Sequence, residues 1–455
     1  MKPAALELGT ERIRKLLVQY AVPAIIAMTA SSLYNMVDSI FIGQGVGPLA
    51  ISGLALTFPL MNLSAAFGAM VGVGASTLIS MRLGQRDYDT AQRVLGNVIS
   101  LNTIIGIAFA VITLIWLDPI LRFFGASDAT LPYAREYMQI ILLGNVVTHM
   151  YLGLNAVLRA AGHPRKSMYT TIITVALNAI LDPLFIFVFD WGIRGAAFAT
   201  ILAQLCSLIW QLHLLSNRNE LLHLQRGIYR LRKRIVSDML SIGLSPFLMN
   251  LAACLISILI NKGFKVYGGD LMIGAYGITN RIAFLFVMII MGLNQGMQPI
   301  AGYNYGARQY DRVLRVLRLA IYGATALSIV AFLLGECTPR LLASLFTTDE
   351  ELISLAATGM RLSFIMFPLI GFQMVATNLF QSLGMASKAI FLSLSRQLLF
   401  LLPCLLLLPR IFSAFTSLDG SWGVWFALPA SDLLSAIVTA ILLIRQLRSF
   451  RTKIV

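Results

Sequence analysis

Charged side chains are what this sequence has least of. Only 12% of its 455 residues are Asp, Glu, Lys or Arg, against roughly 25% in soluble globular domains. Hydrophobic residues make up 58% of the chain, and the mean hydropathy is +0.80. Long apolar runs recur along the whole sequence, and a run of about 18 or more predicts a transmembrane helix. The composition therefore excludes a soluble domain and predicts a polytopic protein of the lipid bilayer.

Reactive side chains are also scarce. The four cysteines are far apart and show no CxxC spacing, and the four histidines show no metal-ligand spacing. No DDxxD-type acidic run is present, so a membrane enzyme is disfavoured. The net charge of +15 would suggest nucleic acid for a soluble protein, but basic residues also collect in cytoplasmic loops of membrane proteins. We therefore expect no enzyme activity, no cofactor and no nucleic-acid partner.

Hydropathy predicts twelve membrane-spanning helices. They lie near residues 16–42, 47–80, 92–117, 132–157, 167–190, 193–215, 237–262, 271–300, 313–336, 352–381, 388–410 and 421–445. Most of the 35 lysines and arginines fall in the even-numbered connections and in the two terminal segments. Because basic loops stay in the cytoplasm, this pattern predicts a multi-pass protein of the cytoplasmic (inner) membrane with both termini inside.

The two halves of the chain repeat each other. "RLGQRDYDTAQRVL" (82–95) matches "NYGARQYDRVLRVL" (304–317), and "GPLAISGLALT" (47–57) matches "GDLMIGAYGIT" (269–279) at the same shift along the chain. The repeat predicts a first lobe of six helices (1–215), a basic cytoplasmic linker (216–236) and a second lobe of six helices (237–455). Two equivalent lobes with a cavity between them are typical of transporters.

The paired loop motifs resemble a known family. "GQRDYDTAQRV", "GARQYDRVLRV", "LRAAGHPRKSM" and "LNAILDPLFIF" resemble the multidrug and toxic compound extrusion (MATE) family, through essentially the whole chain. The resemblance implies an all-α, V-shaped fold of two pseudo-symmetric lobes that exports cationic amphipathic drugs in exchange for H⁺ or Na⁺. With no carboxylate deep within the seventh and tenth helices, the sequence looks closer to the MepA-like and DinF-like branches than to the NorM-like branch. We expect a monomer.

Four polar residues lie at similar depth in the first lobe: Asp38, Asn178, Asp182 and Thr200. From the helical rise of about 1.5 Å per residue, they sit roughly 8–16 Å below the outer boundary, where an unpaired carboxylate is costly. Their repeat equivalents are apolar or nearly so: Ile260, Phe400, Cys404 and Leu428. The sequence therefore predicts a coupling site for H⁺ or Na⁺ in the first lobe alone, which is also where the MATE resemblance places it. The surrounding polar network is expected to contain Asn35, Tyr137 and Asn155.

The second lobe contains two buried charges at equal depth. Arg281 and Asp432 each lie about ten residues into their helices from outside, and their opposite signs predict an ion pair. That pair is either structural or a switch opened by substrate or a proton. The amides Asn294 and Gln295 suit a polar cavity wall or close helix packing.

A cation-coupled efflux antiporter working by alternating access is the leading functional prediction. The nearest alternative is a flippase for lipid-linked oligosaccharides from the same superfamily. Such a protein needs a strongly basic cavity, and Arg281 is the one basic residue that the hydropathy pattern places deep inside a span.

Overall fold

The computed structural model describes residues 4–416 and 419–454, and all regular structure in these ranges is helical. Side chains are described except at residues 4, 35–37, 39–40, 43–44, 48, 51, 270 and 453–454. In the first half the spans are α1 Ile13–Gly45, α2 Pro48–Gly84, α3 Tyr88–Ile115, α4 Leu131–Leu143 with Asn145–Ala160, α5 Pro164–Val188 and α6 Gly192–Leu215. In the second half they are α7 Lys233–Gly269, α8 Leu271–Gly306, α9 Tyr310–Cys337, α10 Glu350–Phe364 with Phe367–Ser382, α11 Ala386–Phe415 and α12 Gly420–Ile454.

The predicted number of spans is confirmed, with α4 and α10 each bent. Among the described residues, ten helices are long and apolar enough to cross a bilayer alone, and each of the two bent pairs makes one further span. The arms of α4 meet at 57° beside Gly144, and those of α10 meet at 51° just before Phe367. Pro368 lies in the first turn of the second arm of α10, where backbone N–H groups have no partner within the helix, so the missing N–H of proline costs no hydrogen bond. Hydropathy predicts both spans as unbroken, because it reports apolar length and not direction.

The internal repeat extends to the backbone. Arg86 and Arg308, which are equivalent in the repeat, both have φ near 60° in the loops that carry the repeated motif. The glycine pairs Gly47 with Gly269 and Gly162 with Gly384, at the same shift, also have positive φ. Left-handed backbone is uncommon for a residue with a Cβ, so its recurrence at Arg86 and Arg308 reflects a shared loop design.

The segment between the two halves is irregular, and α7 begins at Lys233, four residues before the predicted start. This linker packs on α3, where Asn97 Nδ2 donates to the carbonyl oxygens of Ile228 (3.3 Å) and Arg230 (3.1 Å). The domain limits 1–215, 216–236 and 237–455 stay a prediction.

The two lobes meet on the side of the chain termini. One large buried apolar cluster there combines the start of α1 and the end of α2 with the end of α8 and the start of α9. Toward the opposite side the buried residues divide into two separate clusters, one within residues 42–197 and one within residues 256–427. Gly84 abuts the Tyr303 carbonyl, and its repeat equivalent Gly306 abuts that of Met81. The lobes therefore form a V that is joined at the terminus side.

Candidate cation site in the first lobe

The four predicted polar residues of the first lobe lie together. Asp38 comes from α1, Asn178 and Asp182 from α5, and Thr200 from α6. Asn178 and Asp182 have no exposed surface, and Asp38 and Thr200 are each 7% exposed. Asn178 and Asp182 are one helical turn apart, so both side chains point from the same face of α5. The structure therefore makes one buried cluster from three helices.

The amide of Asn178 links the members of this cluster. In the orientation in which the amide nitrogen and the amide oxygen are both hydrogen-bonded, Nδ2 donates to Asp182 Oδ2 at 2.6 Å, and Oδ1 accepts from the Thr200 backbone N–H at 3.1 Å. The Thr200 hydroxyl donates to the Ala196 carbonyl at 3.1 Å within its own helix. These bonds hold the α5 and α6 sides of the cluster in place.

The two carboxyl groups face each other. Asp38 and Asp182 are within hydrogen-bonding reach, and among the described residues the buried Oδ1 atom of each has no hydrogen-bond partner. Two negative charges at this separation repel strongly in a buried site, so the pair suits a shared proton or a small cation. Carboxylate, amide and hydroxyl oxygens are the ligands that hard cations prefer. The residues present therefore fit either H⁺ or Na⁺.

The backbone beside Asp182 departs from an α-helix. Pro183 follows it directly, and residues Leu184–Val188 form a π-helical turn that completes α5. Proline has no N–H, so the carbonyl four residues earlier loses its helical partner. Single π-helical turns inside longer helices are frequent at functional sites.

The polar network around the cluster includes one residue that the sequence interpretation missed. The Tyr34 hydroxyl lies 3.1 Å from Thr200 Oγ1, and Asp38 follows Tyr34 one helical turn later on the same face of α1. That spacing was the available signal. Tyr137 is 1% exposed and lies near Thr200 and the two carboxyls.

Asn155 lies in a second polar group, away from the carboxyls. Its Nδ2 donates to Thr171 Oγ1 at 3.0 Å, and its Oδ1 accepts from Arg159 Nη1 at 3.3 Å. Tyr151 is 7% exposed and lies beside Asn155 in this second group. The side chain of Asn35 lies outside the described residues.

The equivalent place in the second lobe is apolar. Ile260, which replaces Asp38, is 2% exposed in the second lobe's own hydrophobic cluster. Cys404 and Leu428, the equivalents of Asp182 and Thr200, pack against that cluster. The difference between the lobes that the repeat predicted is therefore a difference in packing as well as in sequence.

The predicted ion pair between Arg281 and Asp432 is wrong. Asp432 is 3% exposed on α12, and its Oδ1 accepts from Arg396 Nε on the neighbouring α11 at 2.7 Å. Arg281 is an exposed residue of α8. Equal depth did not decide the pairing, because α11 packs directly on α12 and presents Arg396 to it. Arg396 is therefore a second deep basic residue, but its charge is neutralised by Asp432.

Asn294 and Gln295 lie where α8 packs on the first lobe. Asn294 is 5% exposed, and Gln295 Nε2 lies 3.6 Å from Met28 Sδ on α1. The neighbouring Gly292 and Gly296 bring α8 close to the backbone of α1. Of the two predicted roles for this stretch, the structure shows close helix packing.

Known proteins share this architecture. The MatE family model matches residues 23–184 and again residues 243–406. The multidrug export protein MepA of Staphylococcus aureus strain MSSA476 is 26% identical over 434 residues, covering 95% of this chain and 94% of the relative. MepA of Staphylococcus haemolyticus is 27% identical over 437 residues, covering 96% and 94%.

Solved structures agree with the sequence relatives. The MATE multidrug transporter DinF-BH in complex with the dye rhodamine 6G is 37% identical, covers 96% of each chain and has a TM-score of 0.87. An outward-facing MATE transporter of the MOP superfamily is 25% identical, covers 98% of this chain and 99% of that chain, and has a TM-score of 0.91. Two equivalent six-helix lobes with a buried polar cluster in one of them define a polytopic membrane transporter. The chain belongs to the MatE family, and the MATE resemblance is confirmed.

Proposed function

We propose that this protein is a cation-coupled multidrug antiporter that exports cationic amphipathic compounds by alternating access. H⁺ or Na⁺ binds at the cluster of Asp38, Asn178, Asp182 and Thr200, and its passage down its gradient drives export. The single observation that carries the proposal is the pair of facing carboxyls, each with a buried oxygen that accepts no hydrogen bond from the part of the chain that the structure describes. A bound cation neutralises part of the negative charge of the two carboxyls, and its release restores that charge. Coupling requires such a difference between the cation-bound and cation-free states.

Drug export as the substrate class rests on the relatives. The MepA proteins carry the name multidrug export protein, and DinF-BH was solved with rhodamine 6G bound. A flippase for lipid-linked oligosaccharides is less well supported, because it needs a strongly basic cavity, and of the two deep arginines, Arg281 and Arg396, the second is already paired with Asp432. A neutralised pair offers little positive charge to a pyrophosphate group.

Alternating access needs two arrangements of the lobes with different affinities for cation and drug. In the arrangement seen here the lobes are joined on the side of the termini. We place that side in the cytoplasm, in the cytoplasmic membrane, on the distribution of basic residues. The cluster then exchanges cations with the outside in this arrangement and with the inside in the other.

The proposal is tested by rhodamine 6G transport in proteoliposomes under an imposed pH gradient, and separately under an imposed Na⁺ gradient. We expect one of the two gradients to drive dye transport by the wild-type chain. Asp38→Asn and Asp182→Asn should each reduce this transport to the level of protein-free vesicles, because the pair can no longer carry two negative charges.

Asp118→Asn is the matched control. Asp118 is a carboxylate outside the cluster that pairs with Arg135 at 2.6 Å, and its replacement should leave gradient-driven transport intact. Normal coupled transport by Asp38→Asn would refute the proposed coupling site. Transport driven by neither gradient in the wild-type chain would refute cation coupling itself.

A further inference from the structure

A basic pocket lies between the two lobes on the terminus side. It has a volume of about 660 Å³ and is formed by the beginning of α1 and the beginning of α9. Five arginines line it, two from the first lobe and three from the second: Arg12, Arg14, Arg312, Arg315 and Arg318. None of the described residues that line this pocket is acidic.

Among the described residues, none of these five arginines forms an ion pair. Arg312 donates to Asn304 Oδ1 at 2.7 Å and to the carbonyl oxygens of Leu8 (3.0 Å) and Glu11 (2.7 Å), all uncharged acceptors. The Glu11 carboxylate bonds to Lys15 at 3.0 Å instead. Clustered guanidinium groups repel each other, and a phosphate-bearing ligand relieves that repulsion with strong, charge-assisted hydrogen bonds.

The internal repeat shows what this surface does in the other lobe. The face of α3 that carries Gly96, Asn97 and Ser100 receives the linker, since Ser100 Oγ donates to the Tyr229 carbonyl at 2.6 Å and Gly96 abuts Ile228. The equivalent positions on α9 are Arg318, Leu319 and Tyr322, and these three residues line the basic pocket. The face of α3 therefore binds the linker, whereas the equivalent face of α9 binds no such segment among the described residues and carries the positive charge of Arg318.

Below the arginines both helices expose apolar side chains along one face. On α9 these are Tyr322 (64% exposed), Ile329 (42%) and Leu333 (50%), which continue the face of Arg315 and Arg318. On α1 the corresponding stripe runs from Arg14 through Val18, Val22 and Ile26, which are 62%, 47% and 44% exposed. Charge at the membrane boundary with apolar surface beneath it matches a lipid headgroup and its acyl chains.

We propose that this pocket binds the phosphate headgroup of an anionic phospholipid from the leaflet on the terminus side. The lipid bridges Arg12 and Arg14 of one lobe and Arg315 and Arg318 of the other, so it favours the arrangement in which the lobes are joined on this side. This lipid is a ligand distinct from the transported drug and from the coupling cation, and its binding can be measured without transport.

The test is native mass spectrometry of the delipidated full chain, titrated with phosphatidylglycerol or phosphatidylcholine of identical acyl chains. We expect phosphatidylglycerol to bind more tightly than phosphatidylcholine. The double variant Arg315→Gln/Arg318→Gln should weaken phosphatidylglycerol binding by about tenfold or more, from the loss of two basic groups near the headgroup. Arg445→Gln/Arg448→Gln, which removes two exposed arginines from the end of α12, is the control and should bind like the wild type.

A titration with inorganic phosphate separates a lipid site from a general anion site. Phosphate that binds as tightly as phosphatidylglycerol, and displaces it, would overturn the assignment to lipid. Equal binding of phosphatidylglycerol by the wild type and by Arg315→Gln/Arg318→Gln would overturn the assignment to this pocket. Because Arg312 is held by three structural hydrogen bonds, it is left unchanged in these variants so that the fold is preserved.

Discussion

A single methyl group should shift the balance between the two lobe arrangements of the proposed alternating-access cycle. Gly296 on α8 faces α1 so closely that a Cβ built on it would lie 2.5 Å from the Ala21 Cα. An ordinary van der Waals contact begins near 3.4 Å, so Gly296→Ala requires α1 and α8 to separate by about 0.9 Å. The obstacle is backbone, which cannot rotate away as a side chain can.

The cost falls only on the arrangement in which the lobes are joined on the terminus side. Overpacking of this kind costs about 1–3 kcal/mol, which corresponds to a change of roughly 5- to 150-fold in the equilibrium between the two arrangements. Gly277→Ala on the same helix is the control, because a Cβ there meets nothing within 4 Å. It should leave the equilibrium where it is in the wild-type chain.

The populations can be read from spin-label distances. Arg165 and Ser387 are exposed residues in the first turns of α5 and α11, on the terminus side of the two lobes, and they are equivalent in the internal repeat. With nitroxide labels at both in a cysteine-free chain, double electron–electron resonance should show a longer-distance population in Gly296→Ala that the wild type and Gly277→Ala lack. An unchanged distance distribution in Gly296→Ala would refute the claim that this glycine contact holds the lobes together.

Three further outcomes are expected. Tyr34→Phe removes the hydroxyl partner of Thr200, worth about 1 kcal/mol, and should raise the cation concentration for half-maximal dye transport by roughly fivefold; an unchanged value would exclude Tyr34 from the site. Arg396→Met leaves the buried Asp432 carboxylate unpaired and should cost about 3–5 kcal/mol of stability, measured as a lower melting temperature. A second change, Asp432→Asn, should largely restore the melting temperature. An unchanged melting temperature in Arg396→Met would show that the ion pair is dispensable for stability. The hydrogen bond from its arginine partner lowers the pKa of Asp118 in the folded protein. The ion pair therefore stabilises the fold above the unfolded-state pKa of Asp118, and this stabilisation is lost as the pH falls through the lower folded-state pKa. Because the pair is on the surface, Asp118→Asn should lower the free energy of unfolding by less than about 1 kcal/mol, and a melting curve that shows a larger loss near neutral pH would contradict this.

The depth of a residue along its helix could be predicted from the sequence. The neighbouring helix that its side chain faces could not. The constant helical rise per residue placed Asp38 and Asp182 in one layer, and the structure brings them together. The same reasoning placed Arg281 level with Asp432 but said nothing about which helices are neighbours. Packing chose Arg396 on the adjacent α11. The involvement of Tyr34 was missed for a related reason, since a tyrosine in an apolar helix has no charge to mark it.

The sequence by itself determined the class of the molecule. Apolar runs, basic loops and the internal repeat specify twelve spans in two equivalent halves, because the bilayer requires every backbone polar group to be satisfied within helices. It also predicted that the polar cluster belongs to the first half only. Only the tertiary structure decided the bends of α4 and α10, the partner of Asp432, the side on which the lobes join, and the pocket that five arginines from distant segments create. These features depend on how helices far apart in sequence pack against each other, and hydropathy and periodicity do not contain that information.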